Sequence, residues 1–128
     1  MSTAPVTPTA LVTPVTAADY EGCPGTAVVR RSGEKWTMLL LSLLSQRAYG
    51  FNELDRAVEG LSRRVLTRTL RILERDGLVS RTPLPDGRVA YALTGLGRSL
   101  YGRLRHLAVW AVENEDAVRA AREAFDRA

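Results

Sequence analysis

Residues 62–75, SRRVLTRTLRILER, sort their side chains in a way that dictates the local conformation. Arg64, Arg68, Arg71 and Arg75 stand at i, i+4, i+7 and i+11, which is one face of an α-helix. Val65, Leu66, Leu70 and Leu73 take the opposite face, with Ile72 beside them. The helix therefore needs a core on one side and water or an anion on the other. Ser62 is placed to cap its start, Gly60 ends whatever precedes it, and Asp76-Gly77 closes it, since glycine accepts the left-handed conformation of a helix stop. Arginine in such a row suits a polyanion, because guanidinium groups bind phosphate oxygens and guanine edges in pairs.

The charge of the chain is concentrated here. Between Ser62 and Tyr91 lie seven arginines and three acids, so this segment carries +4, the formal net charge of the whole chain. Only Lys35 among the 18 basic residues is a lysine. That bias reads as genome composition, so placement carries more weight than arginine identity. The pI of about 9.8 fits nucleic acid or an anionic surface and does not choose between them. At 128 residues the chain has the size of one domain with a modest core. Its longest apolar run, Met38–Leu41 and then Leu43-Leu44, is far short of the ~20 residues of a membrane helix, and no membrane partner is expected. The N-terminus lacks the basic start and apolar stretch of a signal peptide. Cys23 is the single cysteine and cannot form an internal disulfide, which agrees with a cytoplasmic location.

Residues 1–18 hold three of the six prolines, five threonines and no charge, and are expected to be a disordered N-terminal arm. Residues 19–128 form the expected domain, with order beginning near Asp19. Pro24 suits the first turn of a short helix over Gly25 to Arg31. From Glu34 a helix apolar almost all round follows, with Trp36, Leu39, Leu40, Leu43 and Leu44 facing the core. After Arg47-Ala48-Tyr49-Gly50-Phe51, a breaker-containing link with room for one short strand, Asn52 is placed to cap a short helix to about Val58, its inner face Leu54, Ala57 and Val58. Beyond the arginine-faced helix, Leu78–Thr82 and Arg88–Leu93 read as strands, and Pro83-Leu84-Pro85-Asp86-Gly87 as the turn of a hairpin. Thr94 caps a last long helix with Leu96, Leu100, Leu104, Leu107 and Ala111 on one face. The acidic stretch Glu113–Asp116 interrupts it before a final helical stretch to about Arg127. Short helix, tight turn, basic helix and β-hairpin form a winged helix-turn-helix, mainly α with a small β-hairpin (α+β).

Particular residues carry a family resemblance. Cys23-Pro24, Gly33-Glu34-Lys35-Trp36-Thr37, Phe51-Asn52-Glu53-Leu54, Leu66-Thr67-Arg68-Thr69-Leu70-Arg71, Leu73–Val79 and Tyr91–Gly97 resemble, in order and spacing, the HxlR-type winged helix-turn-helix regulators. The resemblance covers roughly residues 20–112. It implies a bacterial homodimeric transcription regulator related in architecture to MarR-type proteins. Glu34 stands where the family often has glycine, and Asn52 where serine is frequent.

Ser62, Arg63, Arg64, Thr67 and Arg68 are the expected base and phosphate contacts, because the N-terminal part of such a helix enters the major groove. Glu74 is the one acid on this helix able to pair with Arg71, which leaves Arg63, Arg64 and Arg68 free. Arg71 and Arg75 serve backbone phosphate or structural pairing. Arg88, beside the wing tip, is expected over the adjacent minor groove, whose negative potential attracts arginine. Ser80 and Arg81 are weaker candidates. Leu100, Leu104, Leu107 and Trp110 offer more apolar surface than one small domain covers, so a homodimer through the terminal helices is expected.

Cys23 has two readings. At a helix start its thiolate is favoured by the dipole, and a lowered pKa makes a thiol reactive. Several relatives of the family respond to electrophiles or oxidants through a cysteine at this position. Otherwise it is a small packing residue. His106 has no metal-ligand spacing around it, and no nucleophile, phosphate loop or HExxH marks an enzyme, so no metal, cofactor or catalytic residue is expected. Three functions follow in order. The first is a sequence-specific DNA-binding repressor on an inverted-repeat operator. The second is a regulator sensing an oxidant, electrophile or small molecule through Cys23. The third is a winged helix used only for protein–protein assembly.

Overall fold

The computed structural model describes Pro14, residues 16–22 and residues 25–128. The expected arm over 1–18 therefore lies largely outside the described residues, as does Cys23. Helix α1 (Ala17–Glu21) starts two residues before Asp19, where order was expected to begin. Thr16 and Asp19 explain the earlier start: each side chain accepts the other's backbone N–H, at 3.0 and 3.1 Å. Helix α2 (Thr26–Ser32) follows Gly25, whose φ of 77° is left-handed.

The central helix α3 (Lys35–Gln46) packs against α2, the sheet and the long helix α6 (Gly95–Glu113). Its buried face is Thr37, Leu40, Leu41 and Leu44. Leu39 is exposed, and Trp36 and Leu43 are half-buried at the edge of the core, so the expected inner face is rotated. A helix apolar on nearly every side has no periodicity to name its inner face; the neighbours choose it.

Strand β1 (Tyr49–Gly50) leads directly into helix α4 (Phe51–Ala57). The N-cap is Gly50 rather than Asn52, and Glu53 Oε1 closes the first turn by accepting the Gly50 N–H at 2.8 Å. Leu54 and Val58 are buried, whereas Ala57 is exposed. Helix α5 (Arg63–Arg75) has the expected bounds. Ser62 Oγ accepts the Val65 N–H at 3.1 Å, and Leu66, Thr69, Leu70 and Leu73 form its buried face. At its other end Gly77 N–H donates to the Glu74 carbonyl and Leu78 N–H to that of Leu73, with Gly77 at φ 76°.

Strands β2 (Val79–Pro83) and β3 (Val89–Leu93) form the hairpin, and β1 pairs with the free side of β3. The sheet is antiparallel in the order β1-β3-β2, with Tyr49 opposite Tyr91 and Arg81 opposite Tyr91 on the other side. The two residues of β1 matter because an isolated hairpin is marginal, and a third strand ties the wing to the start of α4. Pro83 sits on the edge strand, where its missing donor costs no ladder bond.

At the start of α6, Thr94 Oγ1 accepts the Gly97 N–H at 3.0 Å and donates to the Gly77 carbonyl at 2.6 Å. One hydroxyl thus joins the start of α6 to the end of α5. Gly97 is required there, since a Cβ at this position would lie 2.0 Å from the Leu78 carbonyl oxygen. Leu100 and Leu104 pack half-buried against the core. Asn114 then breaks the helix, inside the acidic stretch that was expected to interrupt it, and α7 (Glu115–Arg127) follows. Among the described residues, no helix is long and apolar enough to cross a membrane.

Candidate nucleic-acid interface

Burial of one face of α5 turns its other face outward. Arg64, Thr67, Arg68, Arg71, Glu74 and Arg75 are exposed and, with Ile72, line an open groove of about 700 Å³ along the helix. Among the described residues Arg64, Arg68, Arg71 and Arg75 have no ion-pair partner; the expected Arg71–Glu74 pair is not formed. Four guanidinium groups in one row against the single carboxylate of Glu74 form a surface that attracts an extended anion. Thr67 Oγ1 donates to the Arg63 carbonyl at 2.8 Å, and Ser62 Oγ is occupied as an acceptor by its cap. Either hydroxyl has bonding capacity left for a phosphate or a base edge.

Arg63 is not free, contrary to the expectation. One of its terminal nitrogens lies 2.8 Å from Asp55 Oδ2, both donate to Asn52 Oδ1 at 3.3 and 3.4 Å, and the guanidinium stands 4.9 Å from the centre of the Phe51 ring. The partners lie on α4, eight and eleven residues away in sequence. The tight turn between α4 and α5 brings them together, and this is also where Asn52 spends the side chain expected to cap α4. Arg63 is 61% exposed, so it braces the turn while facing solvent.

Arg88 is held as well. Its Nε donates to Asp86 Oδ2 at 2.6 Å and its backbone N–H to Asp86 Oδ1 at 3.0 Å. The backbone donor, then the side-chain donor, hold the Asp86 carboxyl below the usual aspartate range. The guanidinium remains largely exposed at the wing tip. Of the weaker candidates, Arg81 is exposed, whereas Ser80 is half-buried with its hydroxyl 3.4 Å from the Ala92 carbonyl.

Two clefts separate the helix-turn-helix from the wing. One, of about 500 Å³, is lined by Phe51, Thr67, Arg71, Glu74, Arg81, Val89 and Tyr91. The other, of about 470 Å³, lies between α4 and the wing tip, where Arg56, Arg63 and Arg88 converge with Asn52 and Glu53. Arg56 and Arg47 were not singled out from the sequence. Arg47 stacks 3.7 Å from the Tyr49 ring centre and pairs with Glu53 at 3.1 Å. The Gly50 N–H, and after it Arg47, hold the Glu53 carboxyl below the usual glutamate range. A sequence-level signal for Arg56 was weak, because its neighbour Asp55 cancels it in any local charge count.

Of the candidate contact residues for a second subunit, Leu100 and Leu104 pack partly on their own core. Leu107 and Trp110 are 64% and 57% exposed, beside exposed Val109 and Val112. Among the described residues, no group of His, Cys, Asp and Glu could hold a metal ion.

Comparison with known proteins agrees with this geometry. The model of the HxlR-like helix-turn-helix family matches residues 32–119. The uncharacterized HTH-type transcriptional regulator YdeP of Bacillus subtilis is 35% identical over 114 residues, 85% of this chain and 89% of that protein. Among solved structures, the redox regulator HypR in its reduced form superposes with a TM-score of 0.66 at 30% identity, covering 76% of this chain and 98% of that one. The reduced form of the transcriptional regulator YodB from B. subtilis gives 0.65 at 27% identity, covering 70% and 90%.

Proposed function

The chain belongs to the HxlR-like helix-turn-helix family of DNA-binding transcription regulators, and from that premise we propose that it is a homodimeric repressor of an inverted-repeat operator. The observation that carries this reading is the outward face of α5, whose Arg64, Arg68, Arg71 and Arg75 lack carboxylate partners among the described residues. The N-terminal half of α5, with Ser62, Arg64, Thr67 and Arg68, enters the major groove; Arg71 and Arg75 reach flanking phosphates. Arg63 and Arg88 take part from the turn and the wing tip. Two copies joined through Leu107 and Trp110, with Leu100 and Leu104 behind them, place their α5 helices about one turn of DNA, roughly 34 Å, apart. Occupancy of a promoter then excludes polymerase sterically, a mechanism that needs no further parts.

Titration of a labelled duplex from the DNA upstream of the gene tests this. Binding should weaken steeply with salt, with a log–log slope near −7 if a dimer neutralises about eight phosphates. Arg64→Ala should lose about 1–3 kcal/mol if it reads a base edge with two hydrogen bonds. Binding indifferent to salt and to Arg64→Ala or Arg68→Ala would leave a winged helix that serves protein assembly alone.

The redox regulator among the similar structures supports a second reading, in which Cys23 senses an oxidant or electrophile. With no other cysteine in the chain, no disulfide can close within one subunit, which leaves a sulfenic acid, an adduct, a mixed disulfide or a bond between subunits. A thiol that titrates below its ordinary value near ~8.5, with operator binding lost on oxidation in wild type and retained in Cys23→Ser, is the expected signature. An ordinary thiol and oxidant-indifferent binding would leave Cys23 as a packing residue.

A further inference from the structure

The cleft of about 500 Å³ between α5 and the sheet combines two kinds of wall. Phe51, Val89 and Tyr91 present aromatic and aliphatic surface, and guanidinium groups enter the lining from α5 and from β2, as Arg71 and Arg81. Strand register explains how a cation comes to stand there. Arg81 is opposite Tyr91 in the β2–β3 ladder, and residues directly opposite in an antiparallel pair share a face of the sheet. Val79 and Leu93, two residues away along each strand, share that face too, and both are buried. Arg81 is therefore a charge on the core-facing side of the sheet, where that side reaches the cleft.

The charged groups of the lining are unpaired. Among the described residues neither Arg71 nor Arg81 forms an ion pair, and neither does Glu74. Tyr91 is 8% exposed, and its hydroxyl has no hydrogen-bond partner among the described residues. A tyrosine this buried usually finds a partner for its hydroxyl, and a ligand in the cleft supplies one. A carboxylate there accepts from the phenol and from both guanidinium groups. An aromatic ring behind it meets Phe51 and Val89, and guanidinium planes stack on aromatic faces as well as pairing with carboxylates. Two guanidinium groups against the Glu74 carboxylate leave one positive charge in the lining, which suits a monoanion.

We propose that this cleft binds a small aromatic carboxylate, and that the bound ligand keeps duplex DNA off α5. The second clause rests on the reading of the chain as a DNA-binding protein. Thr67, Arg71 and Glu74 line both the cleft and the outer groove of α5, so ligand and duplex compete for the same arginine. Ligand in the cleft neutralises Arg71 and fills the space beside the recognition helix. A regulator built this way releases its operator when the carboxylate accumulates, and Cys23 takes no part.

The test titrates benzoate into the isotopically labelled full chain at constant ionic strength, first without DNA and then with a duplex from upstream of the gene. Benzoate should produce saturating amide shifts at Arg71, Arg81 and Tyr91, with a Kd on the order of 1 mM for a ligand of its size. Benzamide, the neutral counterpart, should leave these shifts unchanged over the same range, and cyclohexanecarboxylate should bind more weakly than benzoate. Arg81→Ala and Tyr91→Phe should each weaken benzoate about ten-fold or more, and Glu74→Gln should tighten it. Arg81 is exposed and phenylalanine keeps the ring of Tyr91, so both weakening variants should melt like wild type. Duplex binding should fall as benzoate saturates the cleft, and not with the same concentration of chloride. Shifts that do not saturate, that benzamide produces equally, or that persist in Arg81→Ala and Tyr91→Phe overturn the site and leave Arg81 as a charge guarding the edge strand. A saturated cleft with duplex binding unchanged overturns the exclusion. Wild-type duplex binding without salt dependence overturns the DNA reading instead, and shows before any benzoate is added.

Discussion

The two longest helices packed on the core, α5 and α6, start alike and end differently. Each begins with a hydroxyl that accepts the N–H three residues on, Ser62 for Val65 and Thr94 for Gly97. Each carries an apolar row. The row of α5 meets core along its whole length: Leu66, Leu70 and Leu73 are at most 1% exposed. The row of α6 meets the core only at Leu100 and Leu104; Leu96, expected on the same face, is exposed at the start of the helix, and Leu107 and Trp110 project into solvent beyond it. The same local code therefore has two outcomes. In α5 complete burial fixes the rotation of the helix and so aims four arginines outward. In α6 the unburied remainder is apolar, and within the proposed function it is what a second subunit covers.

The largest expected effect comes from the point where the two helices are joined. Gly97→Ala would drive a methyl group into the Leu78 carbonyl oxygen, a backbone atom with no rotamer to escape by. We expect a loss on the order of 4 kcal/mol or more, read as a collapse of the thermal transition. Gly102→Ala, on the same helix with nothing within 4 Å of the new methyl, should instead stabilise by about 0.5–1 kcal/mol. Equal melting of the two variants would show that the α6–Leu78 contact is not as close as described.

Next in size is the contrast between the two apolar rows. Leu70→Ala removes a fully buried side chain and should cost about 2–5 kcal/mol at any protein concentration. Trp110→Ala should cost less than about 0.5 kcal/mol in dilute protein, as for other exposed positions. Its effect should grow with concentration if Trp110 lies between subunits, because association stabilises by mass action. Sedimentation and concentration-dependent melting check both. A Trp110→Ala protein that associates like wild type would remove the dimer role from this row.

The smallest expected effect concerns the α4 turn that braces Arg63. The Glu53 carboxyl is held below its ordinary value of 4.5 by the Gly50 N–H and Arg47. A lowered folded pKa means that the stabilisation is complete above the ordinary value and is lost as pH falls through the folded one. The Gly50 amide resonance should report this loss only below pH 4.5, and Glu53→Gln should abolish the acid-side change. A transition at or above the ordinary glutamate value would contradict the capping contact.

Interactions within a few residues along the chain were legible before any fold. Ser62 and Thr94 as caps, Gly77 as a helix stop, the arginine row and the hairpin turn are all decided at separations of one to five residues. At that range backbone geometry alone brings the groups together. The side of α3 that is buried was not legible, because a helix apolar all round carries no phase, and Leu41 and Thr37 are inside where Leu39 was expected. Nor was the state of the individual arginines. Arg63 meets Asp55 and Asn52 only because the turn at Gly60 folds α4 onto the start of α5. Arg56 reaches the wing cleft only because β1 pairs with β3. The sequence by itself determined which helix would carry positive charge outward. The tertiary structure decided which of those charges are left unpaired, since neutralising a guanidinium takes a carboxylate at about 3 Å, and proximity across elements depends on how they pack.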